Sequence, residues 1–307
     1  MKCDIVMYHY VRPIKDSPYP KIKGLELIAF ERQLKYFLKE KTVVSTNDVV
    51  NAALGDDVLP SDAVWLTFDD GYKDHCEFVA PILEKYGVDA SFFPVSDCYE
   101  NNQLLDVNKI HYILATIEND GLLLKLLFDE MLSEGLSKSD FDHFWTSINK
   151  SSRYDTEEVI FFKRMLQVDL PIDVRKRILT NIFENVVGRS EREVSSELYM
   201  SKDDLISLHQ RGFNIGSHTA SHMWLNRLSA GDQEIEIKKS ISALNDIRGD
   251  LDNWIMCYPY GGYNKETLSI LEKTGCALAL TTKVGSANFS TQNRYELSRF
   301  DTNDFPH

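Results

Sequence analysis

The sequence predicts an α/β protein with a parallel sheet, interrupted by a mainly helical insertion. Three observations carry this. Short, almost wholly apolar runs alternate with amphipathic helical stretches in the first third and the last third of the chain. Between residues 107 and 196 helical stripes follow one another without strands. Three polar clusters each stand directly behind an apolar run: Thr67-Phe68-Asp69-Asp70-Gly71, His218-Thr219-Ala220-Ser221-His222 and Tyr258-Pro259-Tyr260-Gly261-Gly262.

Ile5-Val6-Met7-Tyr8 reads as the first strand and ends at His9. Pro13, Pro18 and Pro20 make the next stretch a loop. Phe30, Leu34, Phe37 and Leu38 mark an amphipathic helix, and Val43-Val44 a short strand. Residues 64–68 form a stronger strand that delivers Asp69, Asp70 and Gly71. Phe78, Val79, Ile82, Leu83 and Tyr86 line one face of a helix, with Gly87 placed to stop it. Residues 90–94 are the next strand.

Within the insertion, Ile110, Ile113, Leu114 and Ile117 form one stripe, and Leu122, Leu123, Leu126, Leu127 and Met131 another. Asp155 with Glu158 resembles a capping box ahead of Val159, Phe162 and Leu166. Pro171 precedes a helix bearing Ile178, Ile182 and Val186, with Gly188 behind it. The alternation returns where Ser201 can cap a helix carrying Leu205 and Leu208, ended by Gly212. Residues 213–217 then deliver His218, residues 254–258 deliver the third cluster, and residues 277–280 are a late strand. The expected organisation is an α/β body from residues 1–106 and 197–307, with residues 107–196 inserted. In a barrel of parallel strands the active site lies on the face formed by strand C-terminal ends. The three clusters would then share one cavity.

Composition narrows the function classes. The 307 residues suit one large α/β domain or a core with an insertion, and 43% apolar residues can fill it. With 47 acidic against 34 basic residues, the net charge of -13 repels a polyanion, so nucleic acid is not an expected partner. Asp4 interrupts the first apolar run, so no secretory h-region is expected, and no run reaches the roughly 18 apolar residues of a membrane helix. Cys3, Cys76, Cys98, Cys257 and Cys276 are odd in number and fit no zinc-ribbon spacing. Buried free thiols and a cytoplasmic location are the expectation.

The polar clusters suggest metal-dependent hydrolysis. Adjacent carboxylates at a strand end, Asp69 and Asp70, can divide two jobs, one toward a cation and the other toward a water, although an Asx-type turn with solvated acids uses the same residues. His218 and His222, four residues apart, can bring two imidazoles to one face. With one aspartate they supply an N,N,O set that leaves room for water and substrate. The alternative is one capping and one surface histidine. Zn²⁺ suits these ligands best, with Co²⁺, Mn²⁺, Fe²⁺ or Ni²⁺ as other divalent cations that fit. Lewis-acid activation of an amide carbonyl and of a water is the chemistry such a set serves.

Together the clusters resemble the polysaccharide deacetylases, the NodB-homology group of carbohydrate esterases (family 4). Residues 67–71 match the first family motif without a change, and His218 and His222 match the second, His-Thr/Ser-x-x-His. The third, Arg-x-Pro-Tyr/Phe, is represented by Cys257-Tyr258-Pro259-Tyr260. The resemblance covers residues 1–106 and 197–307. It implies a distorted (β/α)₇ barrel. It also implies Asp69 as general base, Asp70, His218 and His222 as ligands of a divalent metal, and the Tyr260 backbone N–H at the oxyanion site. The implied substrates are N-acetylated sugars. Met7-Tyr8-His9 and Tyr258-Pro259-Tyr260-Gly261 are closest in style to the poly-N-acetylglucosamine deacetylase branch.

Two departures stand out. Cys257 occupies the place of the family's third-motif arginine, and a thiol cannot make a guanidinium's bidentate contact. Arg299 is the candidate replacement from another strand, or else a rim salt bridge. The late Leu-x-His motif that often holds the general acid is absent. His307 is terminal, and His9 is the candidate to line the pocket, order the base or bridge to substrate, or else is a core or loop histidine. The insertion could cover the pocket, bind a second subunit or lie on a membrane, with Phe141, Phe144, Trp145, Phe161 and Phe162 on that surface; core packing is the plainer account. The expected substrate is a surface glycan or a glycan precursor that is nucleotide-linked, lipid-linked or short. The competing functions are an O-acyl or non-sugar amide hydrolase on the same site, and a weakly catalytic carbohydrate-binding protein.

Overall fold

The computed structural model describes residues 1–148, 150 and 155–307, which fall into two compact units. The first comprises Met1–Pro13, Gly24–Gln103 and Ser196–His307, the second Ile14–Lys23 and Leu104–Ser195.

The first unit is a distorted (β/α)₇ barrel. Its parallel strands are β1 (Lys2–Tyr8), β2 (Ala63–Asp70), β3 (Ser91–Pro94), β4 (Asn214–Ile215), β5 (Ile255–Cys257), β6 (Leu278–Val284) and β7 (Leu297–Asp301). They lie in the order β4-β3-β2-β1-β7-β6-β5. The two ends of this path meet at a parallel bridge between Ser217 and Met256. There the Ser217 N–H donates to the Ile255 carbonyl at 2.9 Å, and the Cys257 N–H to the Ser217 carbonyl at 2.9 Å. Gly216 makes this seam possible. A Cβ there would sit 2.5 Å from the Phe93 ring and 2.8 Å from the Ile255 carbonyl oxygen.

Strand alternation sorts the core into two faces. Ile5, Trp65, Phe93, Ile255, Cys257, Leu278, Leu280 and Leu297 form one buried cluster. The residues between them, including Val6, Val64, Leu66, Phe92, Met256 and Ala279, pack with Phe30, Leu34, Phe37, Leu83, Leu208, Ile237 and Leu271 of the helices. Thr67 and Asp69 share the parity of Trp65, and Arg299 that of Leu297. The same period that builds the core therefore carries these polar groups inward at the strand ends.

Most sequence-derived elements are present, with local differences. The helix Leu27–Glu40 buries Phe30, Leu34 and Phe37 but leaves Leu38 42% exposed. The stretch after β2 begins with a π-helical turn, His75–Val79, before Ala80–Tyr86 continues as α-helix to Gly87. The 19-residue helix Ala230–Arg248, which the sequence reading passed over, buries Ile237, Ile241, Leu244 and Ile247.

The second unit contains the helices Asp106–Thr116, Asp120–Ser133, Lys138–Ser147, Glu157–Arg164 and Ile172–Val187. Phe161 and Phe162 are fully buried, and Phe141 and Trp145 pack edge-on against Phe161 with ring centroids at 5.2 and 4.9 Å. Phe161 and Phe162 are thus core rather than surface. The cap of Glu157–Arg164 is Thr156, whose hydroxyl accepts from Val159 N–H. Asp155 is not the cap, because Lys23 and Lys163 hold its carboxylate at 2.8 and 2.6 Å. Among the described residues no helix is long and apolar enough to cross a membrane.

Candidate active site

Asp69 and Asp70 close β2, paired in register with Phe93 and Pro94 of β3. A regular strand would send their side chains to opposite faces. Asp70 instead adopts φ 68° and Gly71 φ 71°, which turns the chain as it leaves the sheet and lets both carboxylates serve one site. Gly71 has no room for a side chain, since a Cβ would lie 2.7 Å from the Pro94 Cβ. Six non-glycine residues have positive φ among the described residues, and four lie in the three clusters: Asp70, Thr219, His222 and Tyr260. The other two are asparagines, which tolerate this region. Left-handed backbone costs about 1–3 kcal/mol per residue and persists where the surroundings over-determine it.

Asp70, His218 and His222 form a triad suited to a divalent cation. One ligand atom from each lies within 4.8 Å of the others. Asp70 Oδ1 stands 3.4 Å from Nε2 of both His218 and His222. Two of the remaining atoms are held from outside. Asp70 Oδ2 accepts from the Tyr72 hydroxyl at 2.7 Å, and His218 Nδ1 donates to the Cys257 carbonyl at 3.0 Å. A carbonyl only accepts, so a proton sits on Nδ1, which leaves Nε2 as the nitrogen that would ligate a cation. Asp70 Oδ1 is buried and has no hydrogen-bond partner. A buried carboxylate oxygen left so, facing two imidazole nitrogens, fits a cation between them. Burial pushes the Asp70 carboxyl up, but contact with His218 and the charge of His222 hold it well below the usual range. Burial holds His222 down to about 3, the neutral form that ligates.

Asp69 is clamped by Arg299, each 1% exposed. Nη1 donates to Oδ1 at 2.8 Å and Nη2 to Oδ2 at 2.7 Å, a bidentate pair. The guanidinium also donates from Nε to the Thr281 carbonyl at 2.9 Å, and from Nη1 to Thr67 Oγ1 and Cys257 Sγ, both at 3.3 Å. The register between β7 and β6 shifts between Leu297 and Arg299; such irregularities re-aim side chains. Burial alone would raise the Asp69 carboxyl, but the Arg299 charge brings it down to about 2. Burial raises the Cys257 thiol well above its ordinary value, so it stays neutral against the guanidinium.

His9 is half-buried just beyond β1 and acts electrostatically on both Asp69 and Asp70. Its carbonyl accepts from His75 Nε2 at 2.9 Å. Tyr260, at φ 56°, sets its ring edge-on to His222 and stacks on Trp224, with centroids at 4.6 Å in each case. His307 is exposed, against the Phe305 carbonyl. The structure thus brings Asp69, Asp70, His218, His222, Arg299, His9 and Tyr260 around one end of the barrel. Sequence reasoning missed Tyr72, His75 and Trp224. Tyr72 directly follows the first cluster and Trp224 lies two residues past His222, so adjacency was the available signal.

The family model for polysaccharide deacetylase matches residues 56–137 and 182–279. YxkH of Bacillus subtilis (strain 168), named for the polysaccharide deacetylases, is 23% identical over 299 residues, covering 97% of this chain and 70% of YxkH. Among solved structures, the deacetylase PplD of Streptococcus pyogenes, in complex with acetate, superposes with a TM-score of 0.61 at 19% identity, over 98% of this chain and 92% of PplD. A de-N-acetylase from Aggregatibacter actinomycetemcomitans gives 0.55 at 16% identity, over 98% and 94%. IcaB from Ammonifex degensii gives 0.55 at 15%, over 98% and 91%. With a family model spanning more than half of its length, the chain belongs to the polysaccharide deacetylase family.

Proposed function

We propose that this chain removes an N-acetyl group from an amino sugar by cation-dependent hydrolysis, with Asp69 as general base. The observation that carries the reading is the pairing of two carboxylates with opposite surroundings. Asp70 Oδ1 faces two imidazoles without a hydrogen bond, while both Asp69 oxygens are locked by Arg299. We assign the cation as Zn²⁺, which would supply Lewis acidity and charge neutralisation. Asp69 is ionised at every physiological pH and takes the proton of the attacking water. The Tyr260 backbone N–H donates to the oxyanion that develops. The departing nitrogen needs a proton, which His9 or the protonated Asp69 returns.

The de-N-acetylase similarity supports an amide over an ester, and the free thiols of all five cysteines suit a reducing, cytoplasmic compartment. There the substrate would be a short nucleotide- or lipid-linked glycan precursor. The test is acetate release by the Zn²⁺-loaded protein from N-acetylated sugar donors beside O-acetylated sugars and simple amides. Amide-selective, chelator-sensitive release with loss in Asp69→Asn is expected, the loss being on the order of 10²–10⁴-fold. Release from esters alone, or sugar binding without turnover, rejects the assignment.

A further inference from the structure

The loop that carries His218 and His222 contains two left-handed residues, Thr219 at φ 64° and His222 at φ 59°. Neither is a glycine, so the loop does not hold this shape by intrinsic preference. Its carbonyls are tied to one neighbour: Ser96 N–H donates to Thr219 O at 3.2 Å and Asp97 N–H to Ala220 O at 2.9 Å. Its donors are tied to another, the helix Ala230–Arg248. Ser221 N–H donates to Glu236 Oε2 at 2.9 Å and Ser221 Oγ to Glu236 Oε1 at 2.7 Å. One turn on, Ser240 Oγ meets Ser217 Oγ at 2.8 Å, and Ser217 Oγ accepts from Thr219 N–H at 3.3 Å. Glu236 and Ser240 stand four residues apart, on one helix face. They brace the loop on either side of Thr219 and Ala220.

We propose that Glu236 is a positioning residue for the cation site: by accepting two hydrogen bonds from Ser221, it holds His218 and His222 in their ligating arrangement before a cation arrives. The inference rests on the triad being a cation site and deepens that reading. Glu236 is an outer partner that acts through the loop rather than touching the ion. It accepts from both the backbone N–H and the hydroxyl of Ser221, where Ser240 makes a single hydroxyl contact to Ser217. Half-buried on the helix, it is the charged end of the brace.

Competition with a chromophoric chelator, on the full chain, gives the Zn²⁺ dissociation constant. The melting temperature of the metal-free protein is read alongside. In Glu236→Gln the carboxamide oxygen can accept from Ser221 N–H while its NH₂ donates to Ser221 Oγ, so both links survive. Affinity in Glu236→Gln is expected within about threefold of the parent, and in Glu236→Ala about 10- to 100-fold weaker, the usual loss for an outer-shell partner. Ser221→Ala deletes one of the two links and is expected to fall between them; it carries the test if Glu236→Ala does not fold. Unchanged affinity in Ser221→Ala and in folded Glu236→Ala, even with a lowered melting temperature, overturns the proposal. So does a Glu236→Gln variant as weak as Glu236→Ala, because charge and not geometry would then govern. A parent protein that binds no Zn²⁺ overturns this inference together with the cation reading beneath it.

Discussion

Arg299 spends its donors on the Asp69 carboxylate, the Thr281 carbonyl, Thr67 and the Cys257 sulfur. A buried guanidinium so surrounded leaves little freedom to the carboxylate it faces. Truncation in Arg299→Ala would leave Asp69 buried and uncompensated, a defect that typically costs about 3–5 kcal/mol. Chemical denaturation is expected to show a loss of that order, and turnover to fall with it. Arg299→Lys keeps the charge but not the planar fork. Its stability should lie between the two, with turnover still reduced; a lysine variant matching the parent in both would remove the case for bidentate orientation. This pair was only half legible in sequence. Cys257 marked the arginine's absence from its family position, and parity with Leu297 turns Arg299 inward, but no local pattern in Leu297-Ser298-Arg299-Phe300 says which groups the guanidinium meets. That depends on the β6–β7 register.

Elements fix what single residues cannot. The strand-to-loop transition at Asp70-Gly71 brings the two carboxylates to one site, and it leaves no space at Gly71. Gly71→Ala combines a left-handed φ with backbone contact at 2.8 Å to Pro94 Cα, so strain of about 1–3 kcal/mol is expected. The strand end must move to relieve it. The measurable outcome is a lowered melting temperature with weakened Zn²⁺ binding, whereas Gly55→Ala, also left-handed but with nothing near its Cβ, should lose stability only. Strong periodic elements were readable from sequence, and so were the three strand-end clusters. The helix Ala230–Arg248 was not, because Glu234-Ile235-Glu236-Ile237 alternates with a strand's period while Ile235 is 65% exposed. The brace on Ser221 was hidden with it. β4 is only two residues long, since the chain leaves regular pairing at Gly216 to make the seam with β5.

Acid stability is a property of the whole fold, and His75 contributes to it in a known direction. The ring is buried among Phe68, Tyr72 and Phe92, with centroids at 5.3–5.7 Å. Burial pulls its pKa down from 6.5 to about 4, against the His9 carbonyl bond that favours the proton. The unfolded chain therefore binds a proton here between pH 6.5 and about 4 that the folded chain refuses. The stabilisation is complete above 6.5 and declines as pH falls through this window, by up to about 1.4 kcal/mol per unit. Asp74 works in the opposite sense: burial raises its carboxyl to about 6 despite Arg12. The comparison must therefore be between variants. His75→Gln keeps a donor for the His9 carbonyl and cannot titrate. Between pH 7.5 and 5 the parent should lose more stability than this variant, by up to about 2 kcal/mol; parallel curves would mean that His75 takes up its proton equally in the folded and unfolded chain.

Cation binding would couple two distant clusters into one thermodynamic unit. β2 supplies Asp70, while the chain after β4 supplies His218 and His222, so the complete site exists only when strands far apart in sequence are assembled. A ligand that binds only that assembled state adds RT ln(1 + [L]/Kd) to folding stability, about 2.7 kcal/mol at a hundredfold excess over Kd. Zn²⁺ is therefore expected to raise the melting temperature by several degrees, rising with the logarithm of its concentration, and a chelator should reverse the rise. His218→Ala leaves a two-ligand site and should flatten this dependence. Asp69→Asn, which keeps all three ligands, should retain it while losing turnover. Equal Zn²⁺-dependent shifts in the parent and in His218→Ala would place the stabilising ion elsewhere on the acidic surface and separate the triad from the fold's stability.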